Sequence, residues 1–97
     1  MADLHFTWDA AKARANVAKH GISFEEAETV FSDEHAVLMP DPDHSHTEDR
    51  FLLLGLSVAL RIVVVVHCEP DPDGAIRILS ARRATRSERG QYAARWN

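Results

Sequence analysis

"RFLLLGLSVALRIVVVVHC" occupies residues 50–68. It contains two runs of aliphatic and β-branched residues, RFLLLGLS and RIVVVVHC, separated only by a short turn near Ser57 to Leu60. Such runs read as strands, and a link this short can join them only in antiparallel fashion. The pattern repeats on both sides. Downstream, EPDPDG is a turn cluster and AIRILSAR a further strand. Upstream, HAVLMP is a strand stopped by Pro40, and DPDHSHTED is a polar loop. The centre of the chain therefore predicts a four-stranded antiparallel meander.

The flanks are helical. In GISFEEAETVF, Ser23 and Glu26 have the S-x-x-E spacing of a capping box, with Ile22 as a possible hydrophobic staple. Phe24, Ala27, Val30 and Phe31 fall on one helical face. Before it, LHFTWD alternates as a short strand through Leu4, Phe6 and Trp8. Asp9 can then cap a helix that runs to about His20 and stops at Gly21. Ala11, Ala15 and Ala18 are its expected core face, and the short link between the two helices predicts a hairpin. Thr85 and Glu88 form a second capping box and open a terminal helix to about Trp96, which Gly90 weakens by ~1 kcal/mol relative to alanine. Tyr92 and Trp96 should pack that helix on the sheet. The order is β-α-α-β-β-β-β-α: an α+β chain, with an antiparallel sheet, two N-terminal helices and one C-terminal helix.

The chain has 97 residues, 45% of them apolar, which suits one domain spanning residues 1–97. Its net charge of −4 hides two opposed regions. Residues 22–49 hold Glu25, Glu26, Glu28, Asp33, Glu34, Asp41, Asp43, Glu48 and Asp49 and no Lys or Arg. Residues 75–97 hold Arg77, Arg82, Arg83, Arg86, Arg89 and Arg95 and one acid, Glu88. Encounters with a polyanion follow the local field, so the net negative charge does not exclude nucleic acid. The single cysteine, Cys68, excludes an internal disulfide and reads as a buried thiol within an apolar strand. The N-terminus lacks the pattern of a signal peptide, and no apolar run approaches a membrane span, so a cytoplasmic location is expected.

Two segments carry a resemblance. FTWDAAKARANVAKHGISFEEAETVFSD resembles the opening of the BrnT toxins. DHSHTEDRF, RIVVVVH and IRILSARRATRSERGQY resemble the remainder, in the same order. The resemblance implies a RelE/ParE-like fold and a ribonuclease toxin that blocks translation. It also implies a BrnA-like ribbon-helix-helix antitoxin, assembled with the toxin as a heterotetramer, and operator DNA bound only through that complex. No cofactor is implied.

Metal-free RNA cleavage uses the 2′-OH as nucleophile. It needs a proton acceptor, a donor for the leaving 5′-oxygen, and cations on the phosphate. Arginine suits the last task, because its planar fork grips two phosphate oxygens. The candidates for catalysis are Lys19, His20, Glu48, Arg50, Arg61 and Arg82. Lys19 and His20 also complement the dipole at a helix C-terminus. Glu48 and Arg50, two apart at a strand start, are a carboxylate with its phosphate clamp or a surface ion pair. Arg61 shares a face with Val63, Val65 and His67, and is expected on the open side of the sheet, with His67 a satisfied histidine. In a regular strand Arg77 and Arg82 point to opposite faces. Arg82, at the strand end, is the better catalyst. Arg77, Arg83, Arg86 and Arg89 read as RNA contacts. Glu88 has a sufficient role in its capping box. His44 and His46, with Asp41, Asp43 and Asp49 nearby, raise a third reading as a metal-dependent hydrolase, though the segment also reads as a solvated loop. A non-catalytic module that grips an acidic partner or operator DNA is the main alternative to a nuclease.

Overall fold

The computed structural model describes residues 4–42 and 49–96. The elements run β1 (His5–Thr7), α1 (Ala10–His20), α2 (Phe24–Thr29), β2 (Val37–Pro40), β3 (Arg50–Leu56), β4 (Ile62–Cys68), β5 (Ala75–Arg83) and α3 (Arg86–Ala93), with 3-10 turns closing α2 and α3. The predicted order of elements is the observed one.

The sheet order is β1-β5-β4-β3-β2. β2 to β5 form the expected antiparallel meander. β1 departs from expectation: it runs parallel to β5, pairing His5 with Ala75 and Thr7 with Arg77. The sheet is therefore mixed. Two helices separate β1 from β2, so β1 cannot form a hairpin with its successor and takes the open edge of β5 instead.

The capping signals act locally and account for the helix starts. The Asp9 carboxylate accepts from the Lys12 amide at 2.9 Å, and Gly21 ends α1 in the left-handed region at φ 71°. The Ser23 hydroxyl accepts from the Glu26 amide at 3.0 Å. The reciprocal half of that box is absent, because the Glu26 carboxylate turns instead to Ser57 and Arg61. At α3 both halves of the Thr85–Glu88 box are present.

Both sheet faces are covered. On one, Ile22, Phe24, Ala27 and Val30 pack on Leu53, Val63, Val65, Ile78 and Ala81. On the other, Tyr92 and Ala84 pack on Leu54 and Val64. This explains why β4 reads as a continuous apolar run, with Val63, Val64 and Val65 all fully buried. Each such side chain contributes roughly 1.5–3 kcal/mol relative to exposure. α3 therefore lies across the sheet from α1 and α2.

α1 also differs from its reading. Ala11, Ala15 and Ala18 are exposed, whereas Asn16 is buried and Ala13 packs on the core. α1 rests on β5 rather than pairing with α2 as a hairpin. Asn16 explains this placement. β1 covers β5 only as far as Arg77, and beyond it the Asn16 amide completes the edge. Its Nδ2 donates to the carbonyls of Ala81 and Ile22, each at 2.8 Å, and its Oδ1 accepts from the Ala81 amide at 3.1 Å.

At Gly55, a Cβ would meet Val30 Cγ1 at 2.9 Å, Ala36 Cβ at 3.0 Å and Asp33 Oδ2 at 3.1 Å. The Asp33 carboxylate cannot yield easily, since it accepts from Leu56 N at 2.8 Å and from the Tyr92 hydroxyl at 2.6 Å. Gly55→Ala is therefore expected to destabilise the fold by ~1–3 kcal/mol, read as a lower urea midpoint at unchanged m-value.

Candidate active site

A bulge in β5 decides on which sheet face Arg77 lies relative to Arg82. Val66 pairs with Ser80, and His67 with Ile78, so Leu79 is the extra residue. Ile78 and Ala81, three apart, both face the α1/α2 layer, whereas Leu79 and Ser80 both line the opposite side. Strict alternation would separate Arg77 from Arg82; the bulge returns them to the same face. Arg82 there lines an open groove of about 490 Å³ with Lys12, Asp41, Arg50, Ser80 and Glu88, floored by Leu52, Val66 and Leu79.

The groove draws on distant parts of the chain. Arg50 opens β3, and its carbonyl accepts from the Asp41 amide at 3.0 Å across the β2–β3 pair. Asp41 is buried. Arg82, next to last in β5, is held by α3: its Nη1 and Nη2 donate to the two Glu88 oxygens at 2.7 and 3.0 Å. The Arg82 guanidinium holds the Glu88 carboxyl down at about 2, against the opposing effect of its burial and with help from the Thr85 amide. Lys12 comes from the first turn of α1.

Arg61 is elsewhere. It does not occupy the open face, as expected, but lies on the side of α2. There its Nε donates to Glu26 Oε2 at 3.0 Å, its Nη2 to Glu26 Oε1, and its Nη2 also to the Gly21 carbonyl at 3.3 Å. The Glu26 carboxylate also accepts from Ser57 Oγ at 2.6 Å. The Arg61 hydrogen bonds, backed by Ser57, lower the Glu26 pKa against the effect of burial, and Arg83 adds to this from the same side. A cation beside valines needed a partner, and α2 supplies one. Lys19 and His20 belong to this end of the molecule, since the Gly21 carbonyl directly after them receives Arg61. Lys19 stands seven residues from Lys12, roughly 10 Å along the helix. The structure thus joins Arg50 and Arg82, and separates them from Lys19, His20 and Arg61. Arg86 and Arg89 are exposed on α3, with Arg89 Nη1 donating to the Ala84 carbonyl at 3.1 Å. Glu48, Asp43, His44 and His46 lie outside the described residues. Among the described residues no cluster of three His, Cys, Asp or Glu could hold a metal ion.

Lys12 is the groove residue that sequence reasoning missed. The signal was present: Lys12, Asn16 and His20 form an i, i+4, i+8 polar stripe on an alanine-rich helix. His67, by contrast, is satisfied as expected. It is buried, its Nδ1 lies 3.2 Å from the Val65 carbonyl, and Phe31 meets its ring edge-on. Trp96 is not packed on the sheet; it is exposed and stacks on His35 with ring centroids 3.9 Å apart.

These environments set the pH response. Glu88 and Glu26 are lowered by their arginines. Asp33 is pushed up by burial but lowered overall by the Leu56 amide, the Tyr92 hydroxyl and the His35 amide. Each carboxylate binds a proton more readily in the unfolded chain, so its contribution holds above about pH 4.5 and is lost as pH falls toward 2. Burial lowers His67 below its ordinary 6.5, which makes protonation of the unfolded chain favourable first. The urea midpoint is expected to be flat between about pH 7 and 9, to fall gently below 6.5 and to fall steeply below 4.5. His67→Phe should remove the first decline only.

Comparison with known proteins agrees with this architecture. The family model for the ribonuclease toxin BrnT of type II toxin–antitoxin systems matches residues 8–88, a span containing Lys12, Arg50, Arg82 and Glu88. The crystal structure of the Brucella abortus ribonuclease toxin BrnT is 28% identical and superposes with a TM-score of 0.66, covering 87% of this chain and 100% of that one. No curated protein gives a significant sequence match. With the family model spanning most of its length and the fold shared, this chain belongs to the BrnT family of type II toxin–antitoxin ribonuclease toxins.

Proposed function

We propose that RNA is cut in the groove between β3, β5 and α3. The observation that carries this reading is the meeting of Arg50 and Arg82 in one water-accessible groove on the sheet face opposite α2. In this reading the two guanidinium groups hold the scissile phosphate and stabilise the charge that grows on it. Lys12, rather than Lys19, supplies the groove's lysine and gives a proton to the leaving 5′-oxygen. A carboxylate of the 41–48 segment, Asp41 or Glu48, accepts the 2′-OH proton, and the reaction needs no metal. Arg77, on the same face, and Arg86 and Arg89 on α3 guide the RNA backbone. Arg83 and Arg61 lie toward Glu26, and Arg61 serves to anchor α2. Lys19 and His20 complement the end of α1.

The same reading takes residues 1–97 as a single RelE-like toxin domain that blocks translation in the cytoplasm. A BrnA-like ribbon-helix-helix antitoxin, in a heterotetramer, neutralises it, and operator DNA is bound only through that complex. No helix among the described residues is long and apolar enough to cross a membrane. A non-catalytic binding module is favoured by one observation: Arg82 and Arg61 are both already paired with carboxylates.

Incubating the purified chain with cellular RNA, with and without EDTA, tests the choice. Cleavage that survives EDTA is expected. Tight binding without cleavage would favour the module, and loss of cleavage in EDTA would move the chemistry to a metal.

A further inference from the structure

We propose that Glu88 is a positioning residue for the nuclease groove, clamping one edge of the Arg82 guanidinium so that the other edge is presented to the RNA phosphate. The inference rests on the reading of the groove as the cleavage site. Glu88 takes the end of the Arg82 fork with both oxygens, at 2.7 and 3.0 Å, while Nη1 also reaches the Arg83 carbonyl at 3.4 Å. Guanidinium carries five N–H donors. These contacts use both hydrogens of Nη1 and one of Nη2. The Nε hydrogen and the second Nη2 hydrogen are left as a side-on pair, a geometry that matches two phosphate oxygens.

Glu88 is itself rigidly held. Its Oε1 accepts from the Thr85 amide at 2.8 Å, and its own amide donates to Thr85 Oγ1 at 3.2 Å. The Thr85 backbone amide thereby fixes the carboxylate, and the carboxylate fixes the arginine, while the Thr85 hydroxyl serves only the start of α3. A carboxyl held at about 2 stays ionised at neutral pH and is a poor proton acceptor. Its presence in the groove is therefore explained by orientation of Arg82 and not by proton transfer. A guanidinium oriented before the substrate arrives loses little freedom at the transition state, so its effect falls on kcat more than on KM.

The test uses single-turnover and steady-state cleavage of a defined RNA by the full chain. Glutamine still satisfies a capping box, so Glu88→Gln should fold, with a melting temperature lowered by loss of the Arg82 ion pair. It is expected to lower kcat about 10-fold or more, with KM changed less than about 3-fold. Arg82→Ala should regain activity with added guanidinium, and Arg82→Ala/Glu88→Gln should not, because the clamp for the added ion is gone. The double variant should be no slower than Arg82→Ala alone. Thr85→Ala, which weakens the helix start but leaves the Glu88–Arg82 pair, separates cap loss from misorientation. It should lower the melting temperature and leave cleavage within about two-fold.

Wild-type kcat in Glu88→Gln, or faster cleavage and tighter RNA binding in it, would overturn the inference; the second result would make Glu88 a competitor of the phosphate. Equal guanidinium rescue with and without Glu88 would overturn it as well. If Arg82→Ala itself cleaves normally, the groove reading fails, a result distinct from failure of the clamp.

Discussion

Alanine at Arg82, or at Arg50, is expected to slow RNA cleavage by about 10²–10³-fold at saturating substrate. That loss is the usual consequence of removing one preorganised donor from a developing oxyanion. The two effects should not add, because in the proposed site both guanidinium groups act on one phosphate. Arg82→Lys should recover little. A lysine keeps the charge but has no fork, so it cannot hold Glu88 with one edge and phosphate with the other. Removing Arg77, Arg86 or Arg89 should behave differently. Each weakens RNA binding evenly across sequences and reduces the salt slope by about 0.7 per lost contact, with kcat preserved. Arg61→Ala should register mainly in the urea midpoint, because its partner Glu26 then loses the cation that holds it beside Ser57. An Arg61→Ala variant that folds normally but has lost cleavage would move the reaction to the α2 side of the sheet.

Asn16→Ala is expected to destabilise the protein by ~2–4 kcal/mol, a drop of roughly 10 °C or more in melting temperature. The side chain makes three buried hydrogen bonds, and its removal leaves the Ala81 amide and carbonyl and the Ile22 carbonyl unpaired. Water cannot easily replace it, since Ala81 and Ile22 are fully buried. Asn16→Asp should be at least as damaging. It retains an acceptor for the Ala81 amide but turns a carboxylate toward two carbonyls that need donors. Ala11 and Ala15, one turn away on the exposed side of the same helix, should tolerate substitution within about 0.5 kcal/mol. Thermal melts of the four variants would show whether α1 is held by its alanine face or by this one amide.

Local chemistry was legible in the chain. Asp9, Ser23 and Thr85 start their helices where the sequence placed them, because a cap is decided by residues three apart. The strands of the meander, with turns at Ser57 to Leu60 and at Asp71 to Gly74, follow from period and turn chemistry alone. What failed depended on distant partners. Glu26 had the right spacing to close a capping box, but a guanidinium 35 residues away competes more strongly for it. Ala11, Ala15 and Ala18 looked like a core face, yet the open edge of β5 demanded hydrogen bonds, and only Asn16 could supply them.

The arginines show the same division. Their concentration in residues 75–97 is a property of the sequence, as is the suitability of guanidinium for phosphate. Which of them act together is not. One extra residue in β5, Leu79, reverses the alternation and brings Arg77 to the face of Arg82. Arg61, which parity placed beside Val63 and Val65, is drawn to Glu26 once α2 covers that face. Sequence by itself determined the elements, their order and the chemistry available, because these depend on neighbours within a few residues. Tertiary structure alone decided the parallel edge strand, the split of helices between two faces and the company each arginine keeps, because unpaired backbone and buried charge are satisfied by whatever folding brings near.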